Sequence, residues 1–254
     1  MEDDNLCIIN VHLDGTSLID STVVGVDSCP FGWFTTIING TSVNTEIYKE
    51  FEKISETYTD ANQILVDIPV GLPEKERRLC DESARDLLGC RGNSVFYPPC
   101  CDAAVLTDYE EANEAHHNQI GYGLSQQAYH ISEKILEVAD VVGDQYDGLV
   151  RESHPELCFA ALNGQPIAYS KSSDQGRGLR MKLLSDEIDS VEILYRDARN
   201  EYTLQDVRRD DILDSIVLAV SAQKNNLTSV PSNPSSDQPR IYYPDFEVPM
   251  LQFE

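Results

Sequence analysis

The amino-acid sequence predicts an α/β domain with a mixed five-stranded sheet, a three-strand antiparallel meander plus two parallel strands, flanked by helices. The first observation is a set of β-rich segments with short connections between residues 21 and 48, which is typical of an antiparallel meander. The second is a pair of apolar segments, 64–68 and 147–152, which follow helical segments and therefore favour parallel pairing through right-handed crossovers. The third is a strongly apolar helical segment at 206–224, which can cover one face of such a sheet.

The elements are predicted in order from spacing and from the residues at their ends. Pro and Gly bound the helix at 73–89, and Pro155 and Gly164 bound another. Thr107 and Glu110 form a capping-box pattern at the start of a helix. The meander strands are predicted at 21–27, 31–39 and 41–48, and the other helices at 48–58, at 124–142 and within 170–188.

The 254 residues favour a single domain. We expect residues 1–20 to form an N-terminal extension and 21–250 one domain with a helical insertion at about 73–146. The polar, Pro-rich tail starts at 225, and its "RIYYPDF" segment is expected to dock on the body. The absence of an 18-residue apolar run argues against a membrane partner, and the acidic "MEDDNLC" start favours a cytoplasmic location. The seven cysteines are expected to be free thiols.

The charge is strongly acidic, with 44 Asp and Glu residues against 19 Lys and Arg residues and a formal net charge of −25. Such a chain repels itself at low ionic strength, whereas molar salt shortens the Debye length to about 3 Å. The composition therefore suggests the cytoplasm of a halophile. A nucleic-acid substrate is not excluded, because molar salt screens the repulsion, but contacts from Lys and Arg to phosphate should be few and local.

Acidic residues stand at the ends of the three strands that are predicted to be parallel: Asp27, Asp67 and Glu152. Their carboxyl ends share one edge of the sheet, where open α/β sheets bind ligands. Asp211 and Asp214 are three residues apart on the last helix, so they lie on one helical face. Carboxylates that converge in one cleft need a countercharge, and hard divalent cations prefer oxygen ligands.

This pattern predicts a site for Mg²⁺ or Mn²⁺, with two ions expected. Two such ions about 3.5–4 Å apart suit in-line attack on a phosphodiester, which makes nucleic acid the expected substrate and partner. For any one strand-end acid, the start of an ordinary loop remains the commoner explanation. The oligomeric state is left open.

The order of several motifs resembles one family. "GVDSCPFGW", "DIPVGLP", "RLCDESARDLLGCRGNSVF", "ESHPELCFAALNG", "GRGLRMKLL" and "DDILDSIVLAV" together resemble the domain-of-unknown-function 429 proteins, across roughly residues 21 to 250. That family is described as predicted nucleases with an RNase H fold. The D-x-x-D spacing also resembles the last helix of Holliday-junction resolvases in the RNase H superfamily.

The resemblance implies roles for particular residues. Asp27, Asp67, Asp211 and Asp214 would be metal ligands, and with Glu152 they would be the catalytic set of a hydrolase. Glu152 and Glu156 belong to a Glu-x-His-Pro-Glu stretch whose roles are open. The candidate substrate-binding residues are His154, Glu156, Arg180 and Lys182.

Each of these interpretations has an alternative. His154 could instead bond locally at the turn, and Arg180 and Lys182 could pair with surplus surface acids. The cysteines at 80, 90, 100 and 101 lack the spacing of paired zinc knuckles. A different phosphoryl-transfer enzyme and a non-catalytic, phosphate-binding module on the same fold both remain alternatives to a nuclease.

Overall fold

The computed structural model describes residues 21–224 and 226–246, and the predicted extension at 1–20 lies outside them. A five-stranded sheet with the order β3-β2-β1-β4-β5 forms its centre. The first three strands pair antiparallel, and the last two run parallel to β1. The mixed sheet is therefore confirmed, and it is consistent with an RNase H-like arrangement. The strands are β1 (Thr22–Ser28), β2 (Trp33–Asn39), β3 (Ser42–Tyr48), β4 (Gln63–Val66) and β5 (Val150–Glu152).

One face of the sheet is covered by the long helix α10 (Arg209–Gln223), which contacts β1, β2 and β4. Gly25 of β1 makes this contact close. A Cβ atom at this position would stand 2.2 Å from the backbone N of Ala219 and 2.2 Å from the backbone O of Ser215. Only a residue without a side chain lets α10 approach the central strand so closely.

The opposite face of the sheet packs against α1 (Phe51–Thr57) and α6 (Ser132–Val142). Their buried side chains, among them Phe51 and Ile135, meet alternate residues of the central strands, such as Val24 and Ile64. The central strands are therefore buried on both faces, which explains why they read as continuous apolar runs.

The segment between β4 and β5 is helical. It contains α2 (Leu79–Leu88), a 3₁₀ helix (Gly89–Ser94), α3 (Cys101–Ala104), α4 (Tyr109–Ile120), α5 (Gln126–His130) and then α6. The prediction of a single long helix over 124–142 is wrong, because α5 and α6 are separate helices. The Ser132 hydroxyl donates to the Ala128 carbonyl at 3.2 Å, in competition with the backbone ladder. The predicted cap is also wrong, since Asp108 rather than Thr107 accepts from the first-turn amides of α4.

Helices α7 (Pro155–Asn163), α8 (Asp174–Ser185) and α9 (Val191–Glu201) follow β5. Pro155 and Gly164 bound α7 as predicted, whereas α9 is an element that the sequence does not predict. A two-stranded hairpin, β6 (Leu227–Val230) and β7 (Ile241–Pro244), closes the described chain. Tyr242 of β7 bridges Ser153, so the "RIYYPDF" segment docks as expected.

Two further sequence expectations concern thiols and membranes. Six described cysteines are free thiols: Cys29, Cys80, Cys90, Cys100, Cys101 and Cys158. Within the described ranges, no helix has both the length and the apolar character that crossing a membrane requires.

Candidate functional site

The carboxyl ends of the parallel strands bring two aspartates to one edge of the sheet. Val26 of β1 pairs with Val66 of β4, and Val66 pairs with Glu152 of β5. Asp27 and Asp67 each follow a valine by one residue, and the Asp67 amide donates to the Val26 carbonyl at 2.9 Å. Because side chains alternate along a strand, both aspartates belong to the face that α10 covers.

Helix α10 supplies two more aspartates to the same region. Asp211 lies in its first turn, where its Oδ2 accepts a hydrogen bond from the Arg208 amide at 2.9 Å. A carboxylate is favourable there because the first amides of a helix lack intrahelical partners. Asp214 lies almost one turn further along the same face and is only 2% exposed. The aspartate cluster, as we call Asp27, Asp67, Asp211 and Asp214, thus combines two strand ends and one helix.

The four carboxyl groups of the aspartate cluster have pKa values above their ordinary values. Burial is the largest cause of a pKa of Asp27 well above the ordinary value, and repulsion by Asp67, Asp211 and Asp214 adds to it. Burial also raises the pKa of Asp67. It raises the pKa of Asp211 to about 6 and that of Asp214 to about 7. The shared cause is that buried, neighbouring carboxylates cannot all ionise without a countercharge.

That countercharge comes in part from Lys171, which sequence reasoning missed. Its Nζ lies 2.8 Å from Oδ2 of Asp214 and 3.2 Å from Oδ2 of Asp210. Burial lowers the pKa of Lys171, but the carboxylates of Asp214 and Asp27 outweigh that effect and raise it above its ordinary value. Lys171 stands in a loop between α7 and α8, and no spacing rule connects it to α10. Because Lys171 and Asp214 are 43 positions apart, the sequence of a single chain does not indicate that they meet.

Glu152 does not join the aspartate cluster. In the register it is level with Val26 and Val66, one residue before the row of Asp27 and Asp67, so it faces the other side of the sheet. Arg78 binds both of its oxygens, at 2.7 and 2.9 Å. Burial nevertheless raises the pKa of Glu152 to about 7, although Arg78 lowers it. Of the three strand-end acids that were expected to converge in one cleft, the structure brings Asp27 and Asp67 together and leaves Glu152 apart.

His154 and Glu156 start α7 next to the aspartate cluster. His154 is the N-cap residue of α7, and its Nδ1 accepts from the Glu156 amide at 3.2 Å. Its ring lowers the pKa of Asp67, while Glu156 raises it, so both residues lie within electrostatic reach of the cluster. The local bonding that we considered for His154 is therefore present, together with proximity to the site.

The two basic candidates behave differently. Arg180 is fully buried, and its Nη2 donates to both oxygens of Glu156 at 2.6 and 2.8 Å. Arg180 therefore holds Glu156 in place. Lys182 is exposed on α8. Their predicted role in substrate binding remains a prediction.

Comparison with known families gives one match. A model of the family described as "Protein of unknown function (DUF429)" matches residues 25–237. The chain belongs to this DUF429 family. The match covers β1 from Gly25 onward, the other four strands of the main sheet and all four members of the aspartate cluster. Searches of curated proteins and of solved structures found no match.

The DUF429 description names no metal, so we ask whether the site fits one. Carboxylate oxygens are the ligands that Mg²⁺ and Mn²⁺ prefer, and the mutual repulsion of the cluster calls for a cation. The Lys171 ammonium already supplies one positive charge there, 2.8 Å from Oδ2 of Asp214. Over residues 21–224 and 226–246, no three His, Cys, Asp or Glu side chains form a group that could hold a metal ion as they stand. The aspartate cluster therefore fits a divalent cation by the chemistry and the charge of its carboxylates.

Proposed function

We propose that this DUF429 protein is a metal-dependent nuclease that hydrolyses phosphodiester bonds in nucleic acid. The observation that carries the proposal is the aspartate cluster: four carboxylates from three elements, with raised pKa values, at the carboxyl edge of parallel strands. Structural carboxylates are normally paired or solvated, whereas clustered acids with perturbed pKa values mark functional sites.

The proposed ligands are Asp27, Asp67, Asp211 and Asp214, and the proposed ions are Mg²⁺ or Mn²⁺. Bound divalent ions would lower the pKa of a coordinated water and neutralise the charge on a phosphodiester. The residues of the chain supply position and charge. Asp27 and Asp67 are placed by adjacent strands, and the Ser28 amide donates to Oδ1 of Asp27 at 2.7 Å, which orients that carboxylate.

The residues around the aspartate cluster give less direct support to the proposal of a phosphate-containing substrate. His154 lies at the start of α7, within electrostatic reach of Asp67. Glu156 is held by Arg180 at the same helix start. We therefore assign His154 to the substrate side of the site and Arg180 to the positioning of Glu156. Glu152, paired with Arg78 on the other face, is assigned to the stability of the sheet edge.

A second candidate is a non-catalytic protein that binds a phosphate-containing ligand. The ion pair between Lys171 and Asp214 favours it, because the cluster already contains a cation of its own. Such a protein would keep the aspartate cluster and lack turnover.

A cleavage assay distinguishes these functions. Labelled single-stranded, duplex and branched DNA and RNA would be incubated with the protein in molar KCl and Mg²⁺ or Mn²⁺. The variants are Asp27→Asn and Asp67→Asn. Asp174→Asn is the matched control, since the side chain of Asp174 is 94% exposed at the start of α8. Circular dichroism checks that every variant is folded.

A nuclease loses at least about 10²-fold in rate in both cluster variants and on chelation, while the Asp174 variant cleaves like wild type. Cleavage that survives both substitutions would refute the assignment of the site. The absence of cleavage on every substrate, with calorimetric metal binding that needs both aspartates, would favour the binding protein instead.

A further inference from the structure

We infer that Lys171 is the resident cation of the aspartate cluster and that a divalent metal ion must displace its ammonium group to bind. The inference rests on the proposed function, because it assumes that the cluster binds a divalent ion. It adds a residue with a defined role, namely a competitor that sets how tightly the metal is held.

The contacts of Lys171 place its charge at the cluster. Its Nζ reaches Asp214, whose side chain is 2% exposed, and Asp210, whose side chain is 36% exposed. The ammonium thus bridges the buried interior of the site and its solvent-facing rim. Lys171 also acts electrostatically on Asp27 and Asp67, which come from the sheet rather than from α10.

A lysine ammonium and a divalent ion cannot share this position. Both are cations that would take the same oxygen atoms of Asp214, and like charges at such separations repel strongly in a partly buried site. One of the two must leave. The ammonium is the one that can, because its side chain is 41% exposed on a flexible four-carbon stem.

The backbone around Lys171 is held, so the exchange needs only the side chain to move. Ser173 caps α8 by accepting from the Gly176 amide at 3.0 Å. The Ser170 carbonyl in turn accepts from the Ser173 hydroxyl at 2.7 Å. These bonds tie the loop on both sides of Lys171, and neither involves the lysine side chain.

A second lysine near the site shows the contrast. The ammonium of Lys134 donates to the Gly32 carbonyl and lies 4.4 Å from the centre of the Trp33 ring. The Lys134 ammonium therefore already contacts a carbonyl oxygen and the face of an aromatic ring. The ammonium of Lys171 instead pairs with the carboxylates of Asp210 and Asp214, and Asp214 is a proposed metal ligand.

The test uses the full chain, Mn²⁺ as the probe, and three variants. Lys171→Met removes the charge, and Lys171→Arg keeps it. Lys224→Met is the matched control, because Lys224 pairs with Glu187, at 2.7 Å, and with no member of the aspartate cluster. Titration calorimetry at constant KCl would show Mn²⁺ binding at least about tenfold tighter to Lys171→Met than to wild type. The other two variants should stay within about threefold of wild type.

An amine-acetylation measurement by mass spectrometry tests displacement in the wild type. Mn²⁺ should raise the acetylation rate of Lys171 several-fold and leave that of Lys224 unchanged. Equal Mn²⁺ affinity in all proteins, or an unchanged reactivity of Lys171, would overturn this inference while leaving the metal site itself standing. No Mn²⁺ binding in any protein would overturn both this inference and the proposed metal dependence.

Discussion

The substitution Asp214→Asn should make the metal-free protein more stable at neutral pH. Asp214 is 2% exposed, and burial together with Asp67 and Glu156 raises its pKa from 3.8 to about 7 in spite of Lys171. A carboxyl group that binds its proton more tightly when folded contributes full stability below its unfolded pKa. That contribution is lost as the pH rises towards the folded value. The neutral amide carries no such dependence.

The size of the effect follows from the pKa shift. Each unit corresponds to about 1.4 kcal/mol, so the difference between variant and wild type should grow by roughly 3 kcal/mol between pH 5 and pH 7 and then level off. A starting pH of 5 keeps the protein above its isoelectric point near 4.3. The Asn oxygen can still accept a hydrogen bond from Lys171, so little else in the site changes.

Urea unfolding at fixed KCl with a chelator present, at several pH values from 5 to 8, measures this difference. Asp210→Asn is the control, because Asp210 contacts the same ammonium at 3.2 Å but is about a third exposed. Its stability should stay within about 0.5 kcal/mol of wild type throughout. Parallel curves for Asp214→Asn and wild type, or a less stable variant at pH 8, would refute the idea that the cluster is electrostatically strained.

Two further substitutions test how the site is held in the fold. Arg78→Ala leaves Glu152 buried without its partner and should cost roughly 3–5 kcal/mol in urea unfolding, whereas Arg196→Ala on an exposed pair should cost under about 0.5 kcal/mol. An Arg78 variant as stable as wild type would contradict the buried pairing. Gly25→Ala should lose about 3 kcal/mol or more, because the new methyl group meets the α10 backbone. Gly178→Ala, in open space on α8, should be neutral or up to about 1 kcal/mol more stable; similar losses in both glycine variants would argue against that close approach.

Much of the sheet could be predicted from the sequence because its signals are local. The meander strands have short connections, and β4 follows a helical segment, so the pairing and its direction are strongly restricted. Helix ends marked by Pro155 and Gly164 were equally clear. The break between α5 and α6 is not predictable in this way, because it falls at Ile131 with no Pro or Gly to mark it.

The candidate site likewise has some features that the sequence predicts and others that only the tertiary structure determines. Sequence alone determined that acids end two central strands and that Asp211 and Asp214 share a helical face, since both follow from the backbone repeat. Only the tertiary structure decided that Glu152 faces the other side of the sheet, because a shift of one residue in register reverses the direction of a side chain. The tertiary structure also decided that Lys171 meets Asp214. Such long-range charge pairs form where packing brings distant segments together, and a single sequence carries no periodic trace of them.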